Sequence, residues 1–295
     1  MSIKKNRELK RIFFIATLGL LFLASCGGSE KIATEATTTS SSTSLSTTSS
    51  TLAVTTTTQT VIATTTTIDP EDWVGPRHPL TGLPTSEGII PRPALAVKIG
   101  NNDVNSLPHE GLAEADIVYE ALIEAGKTRF LGIYQSSLPD RVAPVRSARS
   151  TDISLIGNLS NPHFAYWGSN EGVGVEVEEA ERSGTFVRQS AETNSSGAFS
   201  RDPSRGNSPY DGVLNPAYLI GDIPALAPTA VFDYGALPIS AVPTFGLRWE
   251  TEGRVVEYLW DQQSLKWQRF QDGSPMNDSN GIQLDSENVL LLYVD

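Results

Sequence analysis

Between Leu112 and Ser150 the chain carries four arginines, Arg129, Arg141, Arg146 and Arg149. They stand in an acidic protein, with 34 Asp and Glu against 22 Lys and Arg and a formal charge of −12. Arginine presents a planar fork of N–H donors that suits carboxylate or phosphate. Its use here is therefore either to neutralise carboxylates of the same chain or to bind an anion from outside. On the first reading Arg129, Arg146 and Arg149 form a structural ion-pair network with Glu120, Glu124 and Asp152. On the second the three arginines form a pocket for an anionic group, and Glu120 orients one of them. An arginine-rich surface facing a partner protein is a third use.

Other chemistries find less footing. Cys26 is the only cysteine, which removes any intramolecular disulfide. The histidines are His78, His109 and His163, none in metal-ligand spacing with another. His109-Glu110 begins like a zinc-protease helix, but Ala113 stands where the second histidine belongs. Asp278, Asn280, Gly281 and Glu287 fit part of a calcium-loop template, whose first ligand position is Met276, and methionine does not ligate calcium. No phosphate loop, dinucleotide fingerprint or G-x-S-x-G elbow occurs. The run Glu176, Glu178, Glu179, Glu181 has the pattern of a solvated helix face. Neither a metal nor a cofactor is expected, and binding is favoured over catalysis.

The elements that must position the arginines follow from hydrophobic period and turn chemistry. Ala94 to Ile99 is predicted as a strand closed by Gly100-Asn101-Asn102, and Pro108 to Ala115 as a helical turn. Ile117 to Ile123 and Phe130 to Tyr134 are predicted as strands of a hairpin turning at Ala125 to Thr128. That hairpin would set Glu120 against Arg129, a cross-strand pair worth roughly 0.2–1 kcal/mol. A helix is predicted from about Ser147 to Asn158, with Arg146 and Arg149 at its amino terminus. There, free N–H groups and the helix dipole favour an anion. His163 to Trp167 is a further strand, Val175 to Ser183 a helix, Arg201 to Tyr210 a polar loop, and Asn215-Pro216 the start of a short helix. A proline-rich crossing leads to three more strands, Val255 to Trp260, Leu265 to Phe270 and Val289 to Val294. The expected architecture is an α/β (α+β) main domain with a mixed sheet over residues 71–240, then a small β-rich domain over residues 241–295. Ending on an apolar strand, that second domain is expected to be incomplete, because an open sheet edge needs pairing or cover.

The amino terminus predicts where the protein resides. Residues 1–25 have a basic start (Lys4, Lys5, Arg7, Lys10, Arg11) and an apolar run, Ile12 to Ala24. That run is shorter than the ~20 apolar residues a membrane-spanning helix needs. Leu23-Ala24-Ser25-Cys26 matches the lipobox of bacterial lipoproteins, in which the cysteine is acylated. Cys26 is thus the predicted lipid anchor, holding an extracytoplasmic protein to the membrane. Residues 26–70 are rich in Ser and Thr and are expected to be a flexible linker. Removing the signal takes away five basic residues and one acidic, moving the formal charge from −12 to −16. Such a chain is unsuited to nucleic acid, whose binding requires phosphates to be neutralised by Lys and Arg.

Several segments carry a family resemblance: Pro79-Leu80-Thr81-Gly82-Leu83, Ala115-Asp116-Ile117-Val118-Tyr119-Glu120-Ala121, Thr128-Arg129-Phe130-Leu131 and Pro144-Val145-Arg146-Ser147-Ala148-Arg149. Over about residues 76–295 the chain resembles the YerB-like bacterial lipoproteins, a family of unknown function. The resemblance implies two extracytoplasmic domains, the smaller carboxyl-terminal one continuing past a strand like Val289 to Val294. It also implies a His-Asn pair near a proline in the loop from Arg201 to Asp211, where this chain has Pro209-Tyr210-Asp211. It supplies no reaction or ligand. The leading expectation is therefore a lipid-anchored protein that binds an anionic envelope component, such as peptidoglycan or a glycopolymer, through Arg129, Arg146, Arg149 and Glu120. A hydrolase or transferase acting on that material, and a scaffold for envelope proteins, are the alternatives.

Overall fold

The computed structural model describes residues 73–221, 225–235 and 244–292. The predicted signal, the linker and Cys26 lie outside the described residues. So does the end of the strand expected at Val289 to Val294.

The first sheet has five strands: β1 (Leu95–Asn101), β2 (Ile117–Leu122), β3 (Thr128–Tyr134), β4 (His163–Tyr166) and β5 (Val187–Ser190). Their order is β2-β3-β1-β4-β5. β2 and β1 run antiparallel to β3, while β1, β4 and β5 are mutually parallel. The sheet is mixed, as expected. β1 and β3 are buried along their whole length, which is why their sequences are near-continuous apolar runs rather than alternations.

Helices α1 (Ser150–Ile156) and α2 (Glu171–Arg182) cover one face. Ile156, Val173, Val177 and Ala180 meet Ala96, Leu131, Ile133, Phe164 and Phe186 there. Asn170 caps α2, its side chain accepting from the Val173 N–H at 2.9 Å. That cap explains why the helix starts four residues before the expected Val175.

The other face is closed by two later pieces. One is the small sheet of β6 (Phe199–Arg201) and β7 (Gly212–Leu214), followed by α3 (Ala217–Ile220). The other is an antiparallel sheet of β8 (Gly246–Thr251), β9 (Arg254–Asp261), β10 (Lys266–Gln271) and β11 (Ser274–Pro275), with β12 (Asp285–Ser286) also pairing with β10. Met276 and Leu284 join Phe130, Tyr134, Val97 and Ile99 in one core. Around that core is a buried polar seam. Arg269 donates to both Glu120 oxygens at 2.9 Å, Gln271 and Asn101 exchange side-chain hydrogen bonds at 2.8 and 3.2 Å, and Arg254 donates to the Asn101 and Asn102 carbonyls at 3.1 Å.

The structure departs from several sequence expectations. Pro108 to Ala115 is not helical, because its backbone is already committed: Glu110 bridges to Ala143 and His109 to Asp278. α1 starts at Ser150 rather than Ser147, since the N–H groups of Arg146 and Ala148 bond to the Lys98 and Gly168 carbonyls. No strand forms at 289–292, where Leu290, Leu291 and Leu292 are exposed.

His109 is fully buried, its Nε2–H donating to the Gly100 carbonyl at 2.6 Å. Burial foremost, then the positive charges of Arg269, Arg205 and Arg254, push its pKa down to about 3. The folded protein thus keeps His109 neutral while the unfolded chain protonates near 6.5, so stability falls as the pH drops below 6.5. This group should make the fold about 2 kcal/mol less stable at pH 5 than at pH 7.5. Urea unfolding at both values should show a smaller loss for His109→Asn than for the native chain. Equal losses would remove His109 as the cause.

Candidate functional site

The segment Pro144 to Arg149 lies where the parallel strands β1 and β4 end. β4 pairs with β1 over Leu95 to Val97; beyond that, the chain from Pro144 takes over this edge of β1. Gly100 N–H bonds to the Pro144 carbonyl at 2.9 Å, Arg146 N–H to the Lys98 carbonyl at 2.8 Å, and Trp167 N–H to the Arg146 carbonyl at 2.9 Å. The backbone carrying Arg146 is thus fixed on both sides. Glycine at 100 makes room for it, since a Cβ there would come within 2.7 Å of the Arg146 Cγ.

On the helix-bearing face this arrangement gathers four cations. Lys98 of β1 and Arg129 of β3 come from the sheet, Arg146 from the inserted segment, and Arg149 is the N-cap residue of α1. Lys98 is wholly buried and its Nζ lies 2.5 Å from Asp152 Oδ1. Asp152 also accepts from the Arg149 N–H at 2.8 Å, so the start of α1 already holds a carboxylate of the chain's own. Arg149 pairs with Glu124 at 2.9 Å.

Arg129 and Arg146 have no such partner among the described residues. Arg129 is 4% exposed and donates to the Ser147 carbonyl at 2.7 Å. Arg146 is 7% exposed, donates to the Pro209 carbonyl at 3.0 Å and stacks over the Tyr210 ring at 5.1 Å. Its Nε is buried without a hydrogen-bond partner. On that side Asp103 accepts the Tyr210 hydroxyl at 2.6 Å. Four cations therefore share the two carboxylates of Asp152 and Glu124. The crowding registers on Arg129: burial, then the charges of Arg149 and Arg146, pull its pKa down to about 10. Burial likewise lowers the pKa of Arg146 and of Lys98, in the latter case against the pull of Asp152.

A small cleft with room of about 30 Å³ opens beside the cluster, lined by Arg146, Ser147, Trp167, Arg201, Ser208 and Gly212 among others. Arg201 stacks over the Trp167 ring at 4.5 Å and pairs with Asp211 at 2.6 Å.

Of the residues singled out from sequence, Arg129, Arg146 and Arg149 come together and Glu120 does not. The register pairs Glu120 with Phe130 and Arg129 with Ala121, so the two side chains point to opposite faces. Glu120 belongs to the seam with Arg269. Arg141 is taken up by Glu110 and Asp202, both at 2.7 Å. Lys98, Trp167 and Arg201 went unmarked. The signal for Lys98 was a lone charge inside the apolar run Leu95-Ala96-Val97-Lys98-Ile99. No group of His, Cys, Asp and Glu among the described residues could hold a metal ion. No described helix is long and apolar enough to cross a membrane.

Residues 80–226 match the family described as "Protein of unknown function (DUF3048) N-terminal domain". The chain is similar to "Putative lipoprotein YerB" of Bacillus subtilis (strain 168), at 43% identity over 100 residues. That match covers 34% of this chain and 30% of the relative. Its structure is similar to the crystal structure of the YerB protein from Bacillus subtilis, with a TM-score of 0.58 and 27% identity, covering 71% of each chain.

Proposed function

The chain belongs to the YerB-like family, and from that premise we propose that it is a lipid-anchored extracytoplasmic protein that binds an anionic component of the cell envelope at Arg129, Arg146 and Arg149. Cys26, within its lipobox, is the residue that would carry the anchor. One observation carries the binding reading. Arg146 is buried beside a cavity with one nitrogen unpartnered and no carboxylate paired to it. An uncompensated buried charge is costly, and an anion entering the cavity would offset that cost. Arg129 adds to the positive field, and Arg149 and Lys98 are held in place by Glu124 and Asp152. Catalysis would need a carboxylate free to act, and both acids in the cluster are engaged by cations.

A thermal-shift screen of the native chain against muropeptides, phosphorylated glycans and simple anions tests this. A ligand at 100 times its Kd should stabilise the fold by about 2.7 kcal/mol, and the shift should vanish in Arg146→Ala. A shift that survives in that variant would place the ligand elsewhere. No shift with any anion would leave the arginines a structural role.

A further inference from the structure

Two guanidinium groups line the cavity, each with its central carbon over its own aromatic ring: Arg146 over Tyr210 at 5.1 Å and Arg201 over Trp167 at 4.5 Å. A ring beneath a guanidinium holds the cation in place and leaves N–H donors not facing the ring to meet acceptors. Each group carries more donors than its partners use. Arg146 donates from one terminal nitrogen to the Pro209 carbonyl and has its Nε enclosed by protein, while Arg201 donates from one terminal nitrogen to Asp211. Ser147 and Ser208 also line the cavity.

The number and setting of these donors select among anions. A carboxylate has two oxygens in one plane and is satisfied by a single guanidinium fork. Two forks set over different rings, with serines beside them, suit an acceptor whose oxygens point out of one plane. A phosphoryl group has that shape. We infer that the cavity takes a phosphoryl group, clamped between Arg146 and Arg201. The assignment rests on the anion-binding reading above and adds Arg201 as a binding residue. A phosphorylated glycan, a phospholipid headgroup and free phosphate share this chemistry.

Isothermal titration of the full chain in detergent micelles separates the possibilities. The probes are inorganic phosphate, glycerol phosphate, a short-chain phosphatidylglycerol and, as a carboxylate control, glucuronate. Arg201→Gln is the informative variant because the Arg201 side chain is 46% exposed and its replacement should leave the fold intact. The phosphoryl probes should bind at least about tenfold more tightly than glucuronate, and Arg201→Gln should erase that preference while sparing glucuronate. The tightest of the three phosphoryl probes identifies the source. Equal affinity for glucuronate and phosphate, or an Arg201→Gln variant that binds like the native chain, overturns the phosphoryl assignment and leaves anion binding standing. Failure of every probe, with Arg146→Gln giving the same blank trace, overturns both.

Discussion

Replacing Asp152 by alanine is expected to cost about 3–5 kcal/mol of stability, among the largest single-residue effects in the chain. Asp152 is wholly buried and does three things at once. It balances Lys98, it accepts the Arg149 N–H at the start of α1, and it offsets part of the charge on Arg129. Without it Lys98 remains buried, with no carboxylate and two arginines nearby. For a chain of this size the loss corresponds to a fall in Tm of roughly 6–20 °C. The double variant Lys98→Met/Asp152→Leu should recover most of it, since an apolar pair of similar volume restores packing without a buried charge. Thermal unfolding of the three proteins decides the matter. An Asp152→Ala variant within about 1 kcal/mol of the native chain would mean that Lys98 sheds its proton or reaches water at little cost.

The second large effect is expected at Arg269. This guanidinium is 3% exposed, donates to both oxygens of Glu120 and lies over the Phe130 ring at 5.1 Å. Arg269→Ala removes the cation from a seam that leaves Glu120, among the described residues, the donors Thr128 and Asn101 at 2.8 and 3.4 Å. A loss of about 3–5 kcal/mol follows for a buried pair broken from one side. A double-mutant cycle with Glu120→Gln separates the pair from the contact of the guanidinium with the Phe130 ring. A coupling energy below about 0.5 kcal/mol would show that burial of the arginine against its neighbours, not the ion pair, matters.

Sequence alone revealed the elements whose period is strong. β1, the β2–β3 hairpin, β4, β9 and β10 are apolar or alternating runs between turn residues, and each forms near its expected place. What stayed hidden has physical reasons. β5 reads Val187-Arg188-Gln189-Ser190, too polar to show a period, and β6 and β7 are three residues each, too short to show one. β8 alternates between exposed and half-buried residues, but it follows directly on the proline-rich crossing. In the site, the clustering of Arg146 and Arg149 was legible because they are close in sequence. The partnership of Glu120 with Arg129 was misread by one residue. The hairpin closes with Leu122 facing Thr128 and five residues between them, and a slip of one in register sends a side chain to the opposite face. Arg201 and Trp167 could not have been joined to Arg146 from sequence, because stacking and a shared cavity are properties of the tertiary fold.

The seam around Arg269 also orders events in time. Glu120 and its partner are 149 residues apart along the chain, and Met276 and Leu284 complete the core around Phe130. A polypeptide emerging amino terminus first therefore displays the Phe130 face of its first sheet, with Glu120 lacking its cation and Asn101 its Gln271 partner, until the strands from Arg254 onward have followed. Contacts so distant in sequence form slowly, since loop closure precedes their gain. The arginine cluster needs no residue beyond Tyr210 for the contacts described, so it can assemble early. The opposite face is the late step, and it is the interval in which a nascent chain most needs protection from aggregation.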